Sequence, residues 1–149
     1  MDVGDLLNTA QRRSLTIGLR AFEMHLRQAD AWLQGKEERG ILYRRSLDLP
    51  PERRASARTQ IAAALARIAV LAERFGLAVA ENDLRATIAA QMSVDWANLC
   101  DTRPEKLRRF GEVDPRLPEL LDVEIDSLAQ LALSVATLSG DEQEKTTDG

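Results

Sequence analysis

An all-α bundle of four principal helices, with one or two short ones, is the architecture that this 149-residue chain specifies, on three grounds. Long segments carry apolar residues at alternating steps of three and four, the period of one helix face. No segment sustains period-two alternation and no Asn-Gly pair marks a tight hairpin, so strands are not expected. Glycines and prolines fall between the periodic segments, where helix stops and starts belong. With 44% hydrophobic and 30% charged residues, the chain suits a packed core rather than disorder. The length fits a single helical domain over residues 1–140, followed by a polar, disordered tail at 141–149.

The first helix is expected from about Asp5 or Ser14 to Gln34, with Leu15, Leu19, Phe22, Leu26, Ala29 and Leu33 on its inner face and Gly35 as its stop. Ala10, Ile17, Ala21, Met24 and Ala31 form a second apolar stripe roughly opposite the first. A helix with two apolar faces is either central in its own bundle or shared with a partner subunit. An irregular connector follows over 35–54, whose Ile41, Leu42 and Tyr43 are expected to tuck against the core.

Pro50 and Pro51 open the second helix, since a first-turn N–H has no helical partner to lose. Its main face is Ile61, Leu65, Ile68, Ala72 and Phe75, with Gly76 as the stop, and it is expected to form the centre of the fold. The remaining alanines, Ala62, Ala66 and Ala69 among them, let a neighbouring helix approach closely.

The third helix follows "AEND", capped by Asn82 or an adjacent residue, with Leu84, Ile88, Met92 or Gln91, Trp96 and Leu99 inward. Pro104, Gly111, Pro115 and Pro118 break the next stretch into short turns, and Asp114 before Pro115 reads as a cap. A last helix is expected from near Asp122, with Ile125, Leu128, Leu131 or Ala132, Val135 and Leu138 on one face. Residues 127–140 carry no charge, which implies that much of this helix is covered.

The only cysteine, Cys100, and the only histidine, His25, allow no internal disulfide and no four-ligand zinc site. No metal or cofactor is expected. A reduced, cytoplasmic setting follows, because neither a signal peptide nor an apolar run of about 20 residues is present. Net charge is −4 but uneven: residues 1–111 hold 18 Lys+Arg against 14 Asp+Glu, and 112–149 hold 2 against 10. That division suits self-association or an anionic partner for the basic part. Arginines outnumber lysines 17 to 3; a GC-rich genome is one source of such a bias, anion recognition by guanidinium another.

At "RPEKLRRFGEVDP" and "AQMSVDWANLCD" the layout resembles small all-helical bacterial proteins without an assigned function, over about residues 15–138. That resemblance implies a helical fold and no particular activity. "RAFEMH", Arg20 to His25, has the R-x4-H spacing of the HEPN ribonucleases. The resemblance implies metal-independent RNA cleavage, with His25 in acid–base chemistry and Arg20 on the phosphate. Three spacings before a lone His match by chance roughly one time in three in so arginine-rich a chain. The motif also sits on the first helix rather than a late one, Ala21 replaces the usual polar residue, and five residues turn the two side chains about 140° apart. The ribonuclease reading is therefore disfavoured, unless a second subunit completes the site.

Arg39, Arg44, Arg45, Arg53, Arg54 and Arg58 gather around the start of the second helix. Cations oppose the positive end of a helix dipole, and an anion bound there would reverse that effect. Arg44, Arg45, Arg53, Arg54 and Arg58 are thus candidates for phosphate or nucleic acid; pairing with the acidic last helix is the internal alternative. The pI near 5.1 disfavours a dedicated nucleic-acid binder. No Glu-x-x-His, Walker loop or G-x-G-x-x-G occurs. The expectation is a noncatalytic helical interaction or accessory module, a homodimer or the binder of another protein, with no membrane contact and with Ile17, Ala21, Met24, Ala62, Ala66 and Ala69 as interface candidates.

Overall fold

A computed structural model describes residues 3–35 and 38–140, so the expected tail at 141–149 lies outside the described residues. The chain is all-α: α1 (Thr9–Leu33), α2 (Pro51–Arg74), α3 (Leu84–Cys100), the four-residue α4 (Pro104–Leu107) and α5 (Leu117–Ser139), with 3-10 turns at Val3–Leu6 and Arg108–Phe110. Contacts divide it into two compact units, Met1–Ala80 and Glu81–Gly149.

Unit 1 is the α1–α2 hairpin. Asn8 caps α1 through a reciprocal box, its side chain accepting from Gln11 N while Gln11 Oε1 accepts from Asn8 N, at 2.8 and 2.9 Å. That Asn-x-x-Gln signal is present in the sequence and places the start between the two expected positions. α1 ends at Leu33, before Gly35. α2 opens with Pro51 in its first turn, as the proline rule requires. It closes on Gly76 at φ +60, with Leu77 N donating to Ala72 O and Gly76 N to Glu73 O, the double bond pattern of a Schellman stop.

Ile61 is buried on α2, and Leu65, Ile68, Ala72 and Phe75 are half-buried along the same side. They meet Leu15, Leu19, Leu26, Ala29 and Leu33 of α1, also half-buried. Within the unit α2 is one half of a hairpin rather than a surrounded centre, because its alanine side has no neighbour there. Two side chains bind the helices at opposite ends. Arg12 of α1 donates to the Phe75 carbonyl at the end of α2, where free carbonyls and the helix dipole favour a cation. Arg58 of α2 donates through Nε to Asp30 Oδ1 of α1 at 2.9 Å.

Between them lies a strand pair that the sequence does not announce. Glu38–Arg39 and Arg44–Arg45 form an antiparallel ladder, Glu38 opposite Arg45 and Arg39 opposite Arg44. Gly40 N donates to Tyr43 O at 2.9 Å to close the turn. A Cβ on Gly40 would fall on the Tyr43 ring, so glycine is needed there for close approach. Without Asn-Gly the turn signal is weak. The expectation that Ile41, Leu42 and Tyr43 tuck inward is overturned: Ile41 is 100% and Leu42 96% exposed, at the tip of a turn that projects them away.

Unit 2 is built on α3 and α5, with α4 against α5. Asp83 caps α3, accepting from Arg85 N at 3.0 Å. Ile125, Ala129 and Ala132 of α5 are buried, and Met92 and Leu99 of α3 half-buried. Leu84, Ile88 and Trp96, expected inward, are exposed. Small residues at 129 and 132 are what allow α3 to approach α5 closely. α5 starts five residues before the expected Asp122, because Pro118 occupies its first turn instead of stopping it. Asp114 holds the preceding turn, accepting from Arg116 N at 2.9 Å, and is not the helix cap. Arg103 pairs with Asp126 at 2.6 Å, fastening α4 to α5.

Candidate functional site

The two places where unsatisfied physics collects are the basic end of unit 1 and the outer side of α5. At the basic end the arginines divide by role. Arg54 donates to the carbonyls of Leu47 and Leu49, strapping the connector onto the first turn of α2. That internal use explains a cation at the positive end of a helix dipole, which the sequence leaves unaccounted for. Arg58 is committed to Asp30 of α1. The Arg58 and Gln34 donors hold the Asp30 carboxyl below its ordinary value. Arg45 lies 3.6 Å from Glu38 and stacks over the Tyr43 ring at 5.8 Å. Arg39, Arg44 and Arg53 are exposed and make no ion pair or side-chain hydrogen bond among the described residues.

Of these arginines, Arg45 and Arg54 border a cavity of about 460 Å³ that is otherwise lined by Ala29, Trp32, Leu33, Gly35, Ser46 and Leu47. Its floor is apolar and its rim cationic. Such a shape suits an apolar group carrying an anion. Trp32 contributes an exposed edge to this cavity; Trp96 and Phe22 are also partly exposed rather than fully enclosed.

Arg20 is half-buried and His25 exposed on the same helix. Five residues of α1 separate them, about 140° around the axis, so one chain does not converge them on a single phosphate. Cys100 is a half-buried free thiol at the end of α3. Among the described residues no group of three His, Cys, Asp or Glu side chains converges on a metal-sized space.

The interface candidates Ile17, Ala21 and Met24 lie exposed on α1, and Ala62, Ala66 and Ala69 lie exposed on α2. The larger apolar surface is elsewhere, on α5. Leu120, Leu128, Leu131, Val135 and Leu138 are all exposed. The lack of charge over 127–140 thus does not mean cover by the rest of unit 2, which reaches only the side bearing Ile125, Ala129 and Ala132. Leu121, Glu124, Leu128, Leu131, Val135 and Leu138 repeat at steps of three and four, the spacing of a coiled-coil seam. The two stripes lie side by side on α5, which is why one apolar periodicity reads as a single face in the sequence.

Comparison of the chain with protein-family models, with curated proteins and with solved structures returns no match. No helix among the described residues is long and apolar enough to cross a membrane.

Proposed function

We propose that the chain is a noncatalytic helical interaction module that self-associates, serving as an accessory piece of a cytoplasmic assembly. One observation carries this reading: among the described residues the buried aliphatic side chains of the long helices are Ile61, Ile125, Ala129 and Ala132, whereas exposed ones include Ile17, Met24, Leu120, Leu128, Leu131, Val135 and Leu138. Isolated surface leucines need no explanation, but contiguous apolar helix faces of this extent mark docking surfaces.

The total accessible surface supports the same conclusion. The chain exposes 12507 Å² at 16.6 kDa. Two separate compact bodies of half that mass would expose about 9,100 Å² together by the usual area–mass scaling. Giving the undescribed residues their full extended-chain area still leaves an excess of roughly 1,800 Å². A standard interface covers about 800 Å² per partner, so the excess matches a partner-dependent chain. The test is the melting temperature as a function of protein concentration. A core completed by association gives a midpoint that rises over a hundredfold concentration range; a constant midpoint overturns the reading.

The cavity at the basic end favours a second reading, binding of an anionic group there. Loss of inorganic phosphate binding in Arg45→Glu and Arg45→Ala, at a residue that lines the cavity, with helicity unchanged, supports it. Equal binding by wild type and variants removes it.

A further inference from the structure

Resting on the self-association reading, we infer that the partner of α5 is the α5 of a second copy of this chain, packed antiparallel through Leu128, Leu131, Val135 and Leu138. These residues occupy successive positions of a three–four repeat and all are exposed, Leu138 to 86%. A second copy is the occupant because the seam is self-complementary: a two-fold axis between Leu131 and Val135 sets Leu131 against the partner's Val135 and Leu128 against the partner's Leu138. A two-fold interface must remove several hundred Å² from each chain, which lies within the excess that the whole chain exposes, α1 and α2 included.

The direction follows from charge. Glu119, Asp122, Glu124 and Asp126 all lie in the first ten residues of α5, and residues 127–139 have none. A parallel pair would set these four acids beside their own copies. An antiparallel pair overlaps the uncharged halves, sends the acids to opposite solvated ends and opposes the helix dipoles. The seam also leaves Ile125, Ala129 and Ala132 to α3, so pairing does not compete with unit 2.

The experiment is sedimentation equilibrium on the full chain, with Leu131→Glu, Leu138→Lys and Ile17→Glu, each checked for helicity by circular dichroism. Wild type is expected at twice the 16.6 kDa chain mass. Leu131→Glu is expected to weaken association at least a hundredfold, because a buried carboxylate would have no partner. Leu138→Lys serves the same purpose in the last turn should Leu131→Glu fail to fold. Ile17→Glu is expected to leave the dimer unchanged. For direction, a spin label at Glu119→Cys in a Cys100→Ser background should lie about 40 Å from its copy in the antiparallel pair, by 1.5 Å rise per residue. A label separation under about 20 Å overturns the antiparallel arrangement. A dimer that survives both α5 variants and falls to Ile17→Glu overturns the α5 assignment and leaves self-association standing. A wild type at the chain mass at every concentration overturns both.

Discussion

Asp30 illustrates how a single residue joins stability to pH. Its carboxyl is held below the ordinary aspartate value of 3.8, chiefly by the hydrogen bond from Arg58 and next by that from Gln34. A carboxylate with a lowered folded-state pKa contributes stability above its unfolded value and loses it as pH falls through the folded one. Unfolding of unit 1 should therefore become easier below about pH 3.8, and Asp30→Asn should flatten that acid limb while lowering stability at pH 7. Thermal melts of both proteins between pH 2 and 7 check this; parallel profiles would refute it. The sequence holds both partners but not their meeting, because they stand 28 positions apart with the connector between them. Arg54 was equally illegible: its cation looks misplaced until the carbonyls of Leu47 and Leu49 are seen to turn toward it. His25 stands exposed, and His25→Ala is expected to leave the unfolding free energy within about 0.5 kcal/mol of wild type.

At the scale of elements, helix ends were legible wherever backbone chemistry is local. Gly76 and Pro51 mark their termini because one needs a left-handed backbone and the other lacks an N–H. Gly76→Ala should cost about 1–2 kcal/mol for a side chain forced into that conformation, read as a lowered melting midpoint of unit 1. Pro118 shows the limit, since a proline can follow one helix or open the next, and here it opens α5. Periodicity likewise found the apolar residues of α5 but merged two stripes into one. The distinction predicts opposite behaviours for neighbours: Ala129→Leu, at a position 4% exposed against α3, should destabilise unit 2 by about 1–3 kcal/mol through overpacking. Leu131→Ala should leave unit 2 folded and act on association alone, seen as an unchanged dilute-limit melt beside a weakened concentration dependence.

For the whole molecule, the all-α class was legible because each long helix repeats its pattern over at least 17 residues. The division into two units was not, since nothing in the composition near Ala80 differs from other loops. One tryptophan falls in each unit, Trp32 in the first and Trp96 in the second. Trp96→Phe and Trp32→Phe variants thus report the units separately. With Ile125, Ala129 and Ala132 buried against Ile61 alone in unit 1, the Trp96 signal is expected to melt at the higher temperature. A single shared midpoint would show that the units unfold as one.

The hairpin arrangement also sets an order of events during synthesis. Every residue that α1 needs for packing within its unit is present once Ala80 has been made, and every contact between α3 and α5 is drawn from the remainder of the chain. Partners so close in sequence require little loop closure, so each hairpin forms fast and in turn as it leaves the ribosome. The outer side of α5 follows the whole α1–α2 hairpin in chain order, so that apolar stripe is exposed only after the first unit has everything it needs to fold.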